Sequence, residues 1–237
     1  MILRAGRIEA LRLVHDPALV VCLGLALVPA IALMASLPGR IEAGELAHAV
    51  DRTMRMSLLA HVALLAASFG GVRTAAAFRA GVVGRDALLL RPGPPFWLRM
   101  ASSAVGGLLI ASCAWALALL GVRGVLGADA VEAADLGAAL LMGAGAGTWG
   151  AAIGAHVRSP LLVIPAVMLS LSPALLLSAL LPDAVAVLPL GSALLALGSP
   201  IVEPPRAPGG GAGIVLLWLF VAVASAYALY RRRPLLP

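Results

Sequence analysis

The sequence contains no lysine, and all 17 of its basic residues are arginine. A phosphate-binding loop of the GxxxxGK[ST] type needs a lysine to reach the β- and γ-phosphates of a nucleotide. This chain therefore cannot form such a loop. If its function consumes ATP, the hydrolysis takes place on another polypeptide.

Charged residues of either sign are also scarce. They make up 12% of the 237 residues, against about 25% in a typical soluble domain. Hydrophobic residues make up 62%, and the mean hydropathy is +1.03. This composition indicates that most of the chain lies in a membrane.

Side chains that carry catalysis or bind metals are few and scattered. The two cysteines, Cys22 and Cys113, lie in apolar runs without metal-site spacing, and no HExxH or GxSxG motif occurs. Of the ionisable residues, only His61 falls within the core of an apolar run, where such groups are costly and usually functional. We predict no catalytic, metal-binding or cofactor-binding residue, and an enzyme has little support.

Six stretches are apolar and long enough to cross a bilayer, which takes about 20 residues of helix. We predict spans at 17–38, 56–78, 99–122, 136–157, 160–182 and 213–230. Prolines 189 and 200 interrupt a further apolar run, 184–202, which we expect to form short helices in or dipping into the outer leaflet. The predicted fold class is all-α, a single polytopic transmembrane domain over residues 1–237.

The arginines predict the orientation, because cytoplasmic loops are enriched in basic residues. With six spans and the N-terminus inside, the inner side has 12 basic and 3 acidic residues, a net charge of +9. The outer side has 5 basic and 8 acidic residues, a net charge of −3, which agrees with the total of +6. We therefore predict that both termini are cytoplasmic. This distribution also explains the basic composition without a nucleic-acid partner.

We do not expect residues 1–16 to form a cleavable signal peptide, since they carry Glu9 and Asp16 and lack a long apolar run. One helical face holds Leu3, Ala10 and Val14, and the largely opposite face holds Arg4, Glu9, Arg12 and His15. This pattern predicts an amphipathic helix lying on the inner membrane surface. An ordinary charged tail remains the alternative.

Two spans have distinctive composition. In the fourth, small residues at i, i+4, i+7 and i+11 predict close packing, with another span of this chain favoured over a subunit interface. These residues are Gly143, Gly147, Gly150 and Gly154. In the fifth, Pro165 and Pro173 predict a kink. Its serines, including Ser170 and Ser172, either bond to freed backbone carbonyls or line a polar path.

The stretch "GRDALLLRPGPPFWLRM", residues 84–100, concentrates charge, proline and aromatic residues in an otherwise apolar chain. Asp86 can cap a short helix through Leu90, and "RPGPP" would end that helix. Phe96 and Trp97 would then lie at the headgroup level. We predict a short helix suspended below the membrane. A loop that only satisfies the charge rule is the alternative.

Three passages resemble the membrane subunit of bacterial type-2 ABC exporters, including actinobacterial members of about this length. "AAFRAGVVGRDALLLRPGPPFWLRMASSAV" is similar to that family's basic cytoplasmic loop. "WGAAIGAHVRSP" is similar to its fourth span and following turn, and "VLPLGSALLALGS" to its outer helices. The similarity extends over nearly the whole chain. Ala77 stands where the family has an acidic residue, and Ala101 where it has a basic one, unless Arg99 replaces it.

The resemblance implies a half-transporter in the bacterial cell membrane. A second permease subunit, identical or paralogous, would pair with this chain, and two copies of an ATPase subunit would bind ATP and Mg²⁺ below. The ATPase would dock on the segment 84–95 through Arg85, Asp86, Leu88, Leu89, Leu90 and Arg91. The second and fifth spans would face the substrate, with His61, Met168, Ser170 and Ser172 as candidate path residues.

The expected cargo is hydrophobic or amphiphilic, such as a drug, a peptide antibiotic or a lipid, because few polar residues are buried. Two other classes stay open. A membrane scaffold or regulatory protein would have no ATPase partner. An ion-coupled secondary transporter would place ionisable residues or broken helices at the bilayer midplane.

Overall fold

The computed structural model describes residues 2–28, 31, 45–83, 93–126, 133–178, 180–198, 201 and 208–232. Every regular element among these described residues is a helix. In chain order the helices are α1 Ile2–Val14, α2 Pro17–Leu25, α3 Glu45–Arg79, α4 Gly93–Leu126, α5 Ala133–Val157, α6 Pro160–Leu171, α7 Pro173–Leu176, α8 Pro182–Val185, α9 Pro189–Ala196 and α10 Pro208–Arg232.

Four of these helices are long and apolar enough to cross a membrane. The apolar portions are Arg55–Arg79, Gly93–Leu120, Leu136–Val157 and Gly210–Arg231. They match the predicted second, third, fourth and sixth spans, so the membrane-embedded, all-helical character is confirmed. The predicted first span, 17–38, lies partly outside the described residues. Helix α2 covers its N-terminal part, which is described.

The predicted fifth span, 160–182, is not one continuous helix. It consists of α6 and α7, and the apolar stretch Pro160–Leu176 is roughly 25 Å long at 1.5 Å per residue. Pro173 causes the break, because it has no N–H to donate to the carbonyl of Leu169. This stretch is shorter than the four spanning helices.

The apolar run 184–202 forms short elements, as its prolines predicted. After α8, the helix α9 packs against α10, with Leu190 and Leu194 almost fully buried. The Trp218 indole of α10 donates a 2.8 Å hydrogen bond to the carbonyl of Val187. This segment is therefore attached to the last helix. Its position relative to a leaflet stays a prediction.

Helices α3, α4 and α5 form the core, and each of them packs against the other two. Gly143 and Gly147 of α5 lie against α4, where added Cβ atoms would overlap the carbonyl oxygens of Gly107 and Ser103. The next turns of α5 meet α3. Cβ atoms on Gly150 and Gly154 would overlap the carbonyl oxygens of Ala67 and Gly71. We call these four glycines the glycine seam; all four contact other helices of the same chain.

One end of the bundle collects most of the described arginines. There α1 lies across the end of α3 and the start of α4. The ends of α5 and α10 reach the same place, because Arg158 lies over the Phe78 ring and Tyr230 packs against Phe96. We call this the basic end. It is the end that the charge distribution predicted to be cytoplasmic.

Candidate functional site

A buried ion pair joins α1 to α3 at the basic end. Arg73 Nη2 donates to Glu9 Oε1 at 2.7 Å, and the two residues are 7% and 8% exposed. Charge-assisted bonds of this length are among the strongest hydrogen bonds in proteins. Arg73 lies inside the apolar helix Arg55–Arg79, roughly 9 Å along the axis from its last residue. An arginine at that depth needs an acidic partner, and the N-terminal helix supplies one.

Asp16 extends the pair to α2. Its Oδ1 accepts the backbone N–H of Ala18 at 3.0 Å, which caps the first turn of α2. Its Oδ2 lies 3.4 Å from Arg73 Nη1. One guanidinium therefore holds two carboxylates, and these fix the middle of α1 and the start of α2 against α3.

Helix α4 completes the site through Ser102 and Arg99. Ser102 Oγ lies 3.1 Å from Glu9 Oε1 and donates to it. Arg99 is 5% exposed and close enough for its charge to act on Glu9. From α1 itself, Arg12 Nη1 lies 3.4 Å from Glu9 Oε2. We call Glu9, Arg12, Asp16, Arg73 and Arg99 the charged cluster.

The electrostatics of the charged cluster favour an ionised Glu9. Burial by itself raises the pKa of this carboxyl. The hydrogen bond and charge of Arg73, with smaller effects from Arg99 and Ser102, outweigh burial and hold the pKa of Glu9 below its usual 4.5. The carboxylate is therefore charged at neutral pH, and the ion pair is intact.

A pocket of about 130 Å³ opens beside the charged cluster. All five charged residues line it, and Ala77 and Val82 form an apolar side. No group of three or more histidine, cysteine or acidic residues with metal-site geometry occurs among the described residues.

An aromatic cluster lies next to the charged cluster at the basic end. Phe96 of α4 contacts Tyr227 and Tyr230 of α10, with ring centroids 5.1 and 5.5 Å apart. Phe78 of α3 joins them through Tyr230. The Phe96 ring is almost fully buried among these side chains, and its predicted position at the headgroup level stays a prediction. Trp97 is more than half exposed and stays available for such a position.

The predicted ATPase-docking residues, from Arg85 to Arg91, lie outside the described residues, but both ends of that segment are described. Val83 comes before it and Phe96 follows it, and both are almost fully buried in one apolar cluster with Met100 and Tyr230. Helix α4 begins at Gly93, so Pro94 and Pro95 belong to its first turn and not to a preceding loop.

The candidate path residues do not come together into one polar site. His61 Nε2 lies 3.2 Å from the carbonyl oxygen of Leu25, at the end of α2. Ser170 Oγ accepts a 3.0 Å bond from the Trp149 indole and donates to the Val167 carbonyl. Met168 and Ser172 are half-buried on α6 and at its C-terminal end. The histidine and Ser170 thus have internal partners, and the transport role of all four stays a prediction.

Sequence reasoning missed the buried ion pair between Glu9 and Arg73. It assigned Glu9 to a solvent-facing polar face, whereas the structure buries Glu9 and Leu13 together. A signal was present, since Arg73 interrupts an apolar helix and such a charge requires a partner. The partner could not be identified, because Glu9 is 64 residues away in the chain.

The fold defines an all-helical, membrane-embedded protein whose polar contacts concentrate at one end. Comparisons with protein families, with curated proteins and with solved structures find no match to this chain.

Proposed function

We propose that this chain is the membrane-spanning subunit of an exporter of the type-2 ABC class, driven by ATP hydrolysis on a separate subunit. The observation that supports it most is the anchoring of the segment 84–92 at both ends. Val83 and Phe96 pack in one cluster, and the charged cluster binds the same ends of α3 and α4 to α1.

This arrangement suits the transmission of force. A partner that moves the segment 84–92 pulls on two spanning helices that are already fixed to each other and to the N-terminal helix. The glycine seam then transmits the movement to α5, because its backbone is in direct contact with those of α3 and α4 and cannot shift independently of them. Together with the absence of lysine, this favours a chain that receives mechanical work from another polypeptide.

The complex would contain two ATPase copies and a second permease subunit, and the cargo would be hydrophobic or amphiphilic. The exposed apolar side chains of α10 and α6 provide surface for lipid and for the second subunit; they include Leu161, Leu169, Leu216 and Phe220. His61, Met168, Ser170 and Ser172 remain the candidate contacts for the cargo.

The test is purification of the tagged full-length chain from its own membranes, followed by mass spectrometry of the proteins that co-purify. We expect an ATP-binding cassette subunit in stoichiometric amount. Leu89→Asp, or the pair Arg85→Glu and Arg91→Glu, should remove that subunit while the permease stays inserted. Arg79→Glu is the matched control, because this residue is exposed at the same end of α3.

The alternatives give different results. Wild-type chain without any ATPase partner would support the scaffold class. Transport in proteoliposomes that requires an ion gradient and no ATP would support the secondary transporter. Either result contradicts the proposal, and so does normal ATPase binding and export with all three docking residues replaced.

A further inference from the structure

Helix α2 runs antiparallel to α3, and polar contacts join the two helices at three levels. The partners follow each other in opposite order along the two helices: Asp16 with Arg73, Cys22 with Leu65, and Leu25 with His61. The last contact is a hydrogen bond of 3.2 Å between His61 Nε2 and the carbonyl oxygen of Leu25. Because a carbonyl can only accept, the imidazole must carry a proton on Nε2 and donate it.

A proline at position 29 explains why the Leu25 carbonyl needs a donor from another helix. In a continuous α-helix this carbonyl accepts the backbone N–H four residues later, and Pro29 has no N–H. A proline ring also clashes with the carbonyl four residues before it, so an interruption near Leu25 is expected. Helix α2 indeed ends at Leu25, Ala26 forms a turn, and residues 27–28 are helical again. His61 therefore supplies the donor that the proline removes.

The apolar contact of α2 with the rest of the protein is narrow. Among residues 17–28, the buried side chains are Leu19, Cys22 and Ala26, and two of these are small. On the opposite side, Val20 and Val21 are mostly exposed. Burial of one leucine and two small side chains contributes little hydrophobic free energy. The polar contacts at the start and the end of α2 are therefore a large part of what holds it on α3.

We propose that the hydrogen bond from His61 to the Leu25 carbonyl is a latch that holds the end of α2 on α3. When this bond breaks, the end of α2 separates from α3, while its start stays bound through Asp16 and Arg73. The separation exposes the buried face of α2, including Cys22, and opens a lateral gap between the two helices. His61 is then a positioning residue and not a contact for the cargo, and this role does not rest on the proposed function.

The natural cysteine of α2 reports the opening, because Cys22 is buried between the two end contacts. The experiment measures how fast N-ethylmaleimide modifies Cys22 in the full-length chain in detergent, by intact mass. Cys113→Ala makes Cys22 the sole cysteine in every sample. His61→Ala should speed the reaction about tenfold, equivalent to about 1.4 kcal/mol, because the carbonyl keeps no donor. His61→Gln should stay within about threefold of the parent, because its side-chain amide can still donate.

The decisive variant is Pro29→Ala, which restores a backbone N–H at the position where the helix lacks one. With that donor present, the carbonyl no longer depends on His61, so adding His61→Ala should change the rate by less than about twofold. The matched control is His156→Ala, because His156 Nδ1 is bonded to a carbonyl of its own helix, α5. Removing that histidine should leave the reaction rate of Cys22 unchanged.

Three results would overturn the proposal. An unchanged rate after His61→Ala would mean that α2 is held without this bond. Equal acceleration by His61→Ala with and without Pro29→Ala would mean that His61 acts by packing and not by supplying a donor. A reaction as fast for His61→Gln as for His61→Ala would lead to the same conclusion.

The test also holds if His61→Ala gives no folded protein. Recovery of folded protein in the double variant with Pro29→Ala would then support the latch, and failure of the double variant to fold would contradict it. None of these measurements depends on transport or on an ATPase partner. A negative result therefore leaves the proposed function untouched, and loss of the proposed function leaves the latch in place.

Discussion

The glycine seam and the charged cluster each attach another helix to α3 and α4, and they do so by opposite means. In the seam, α5 meets α3 and α4 through backbone contact at Gly143, Gly147, Gly150 and Gly154, without side-chain bonds. In the charged cluster, α1 is held to α3 by the Glu9–Arg73 pair and its neighbours.

The glycine seam and the charged cluster differ in the conditions that can break their contacts. Backbone packing depends on the absence of Cβ atoms and is insensitive to salt or pH. An ion pair with bonded neighbours depends on charge, so protonation or a competing anion can weaken it. The seam is therefore suited to a permanent core, and the charged cluster to a joint whose strength can be changed.

The largest effect is expected from Arg73→Ala, which leaves Glu9 and Asp16 without their shared partner. We expect a loss of about 3 kcal/mol in stability, the lower end for breaking a buried pair, because Arg12 and Ser102 still contact Glu9. Thermal unfolding in detergent measures it. Arg79→Ala, at an exposed site on the same helix, should change stability by less than about 0.5 kcal/mol. If Arg73→Ala and Arg79→Ala lowered stability equally, the charged cluster would contribute no more than an exposed arginine does.

A smaller loss is expected in the seam from Gly150→Ala. The added methyl group would overlap the carbonyl oxygen of Ala67, so α3 and α5 must separate, at a cost of about 2 kcal/mol. Gly137→Ala, on an exposed part of the same helix with nothing within 4 Å, should be neutral or slightly stabilising. A loss of stability from Gly150→Ala together with no loss from Gly137→Ala would support close packing at the glycine seam. Unchanged stability of Gly150→Ala would argue against it.

The Trp149–Ser170 bond, which joins the seam helix α5 to α6, should contribute about 1 kcal/mol. Trp149→Phe and Ser170→Ala each remove one partner. A double-mutant cycle on unfolding free energy should give a coupling of that size. Strictly additive losses would mean that Ser170 is free to face a cargo.

The charged cluster should make the attachment of α1 depend on pH. Because the folded state lowers the pKa of Glu9, its contribution is complete above the usual value of 4.5 and is lost as pH falls through the lowered value. We expect α1 to become protease-sensitive below about pH 4.5 before the spanning helices unfold. If α1 became protease-sensitive at the same pH at which the spanning helices unfold, the attachment of α1 would not be a separate pH-dependent contact.

Much of the fold follows from the long apolar runs of the sequence, and the exceptions have local causes. The four spanning helices were predictable because charged residues bound each apolar run. The fifth span is not confirmed as one long helix. Its helix breaks at Pro173, one of the two prolines that predicted a kink, because proline lacks the N–H that the preceding turn needs. Within the candidate site, the burial of Glu9 could not be predicted from spacing on α1, because a partner on α3 decides it.

The most direct test of the joint is amide hydrogen exchange over α1 in the full-length chain at neutral pH. Compared with wild type, Glu9→Gln should speed exchange at Ile2–Val14 about tenfold, equivalent to about 1.4 kcal/mol, and leave α3, α4 and α5 unchanged. Arg7→Gln should have no such effect. The account is contradicted if α1 is already unprotected in the wild type, or if Glu9→Gln leaves its exchange unchanged.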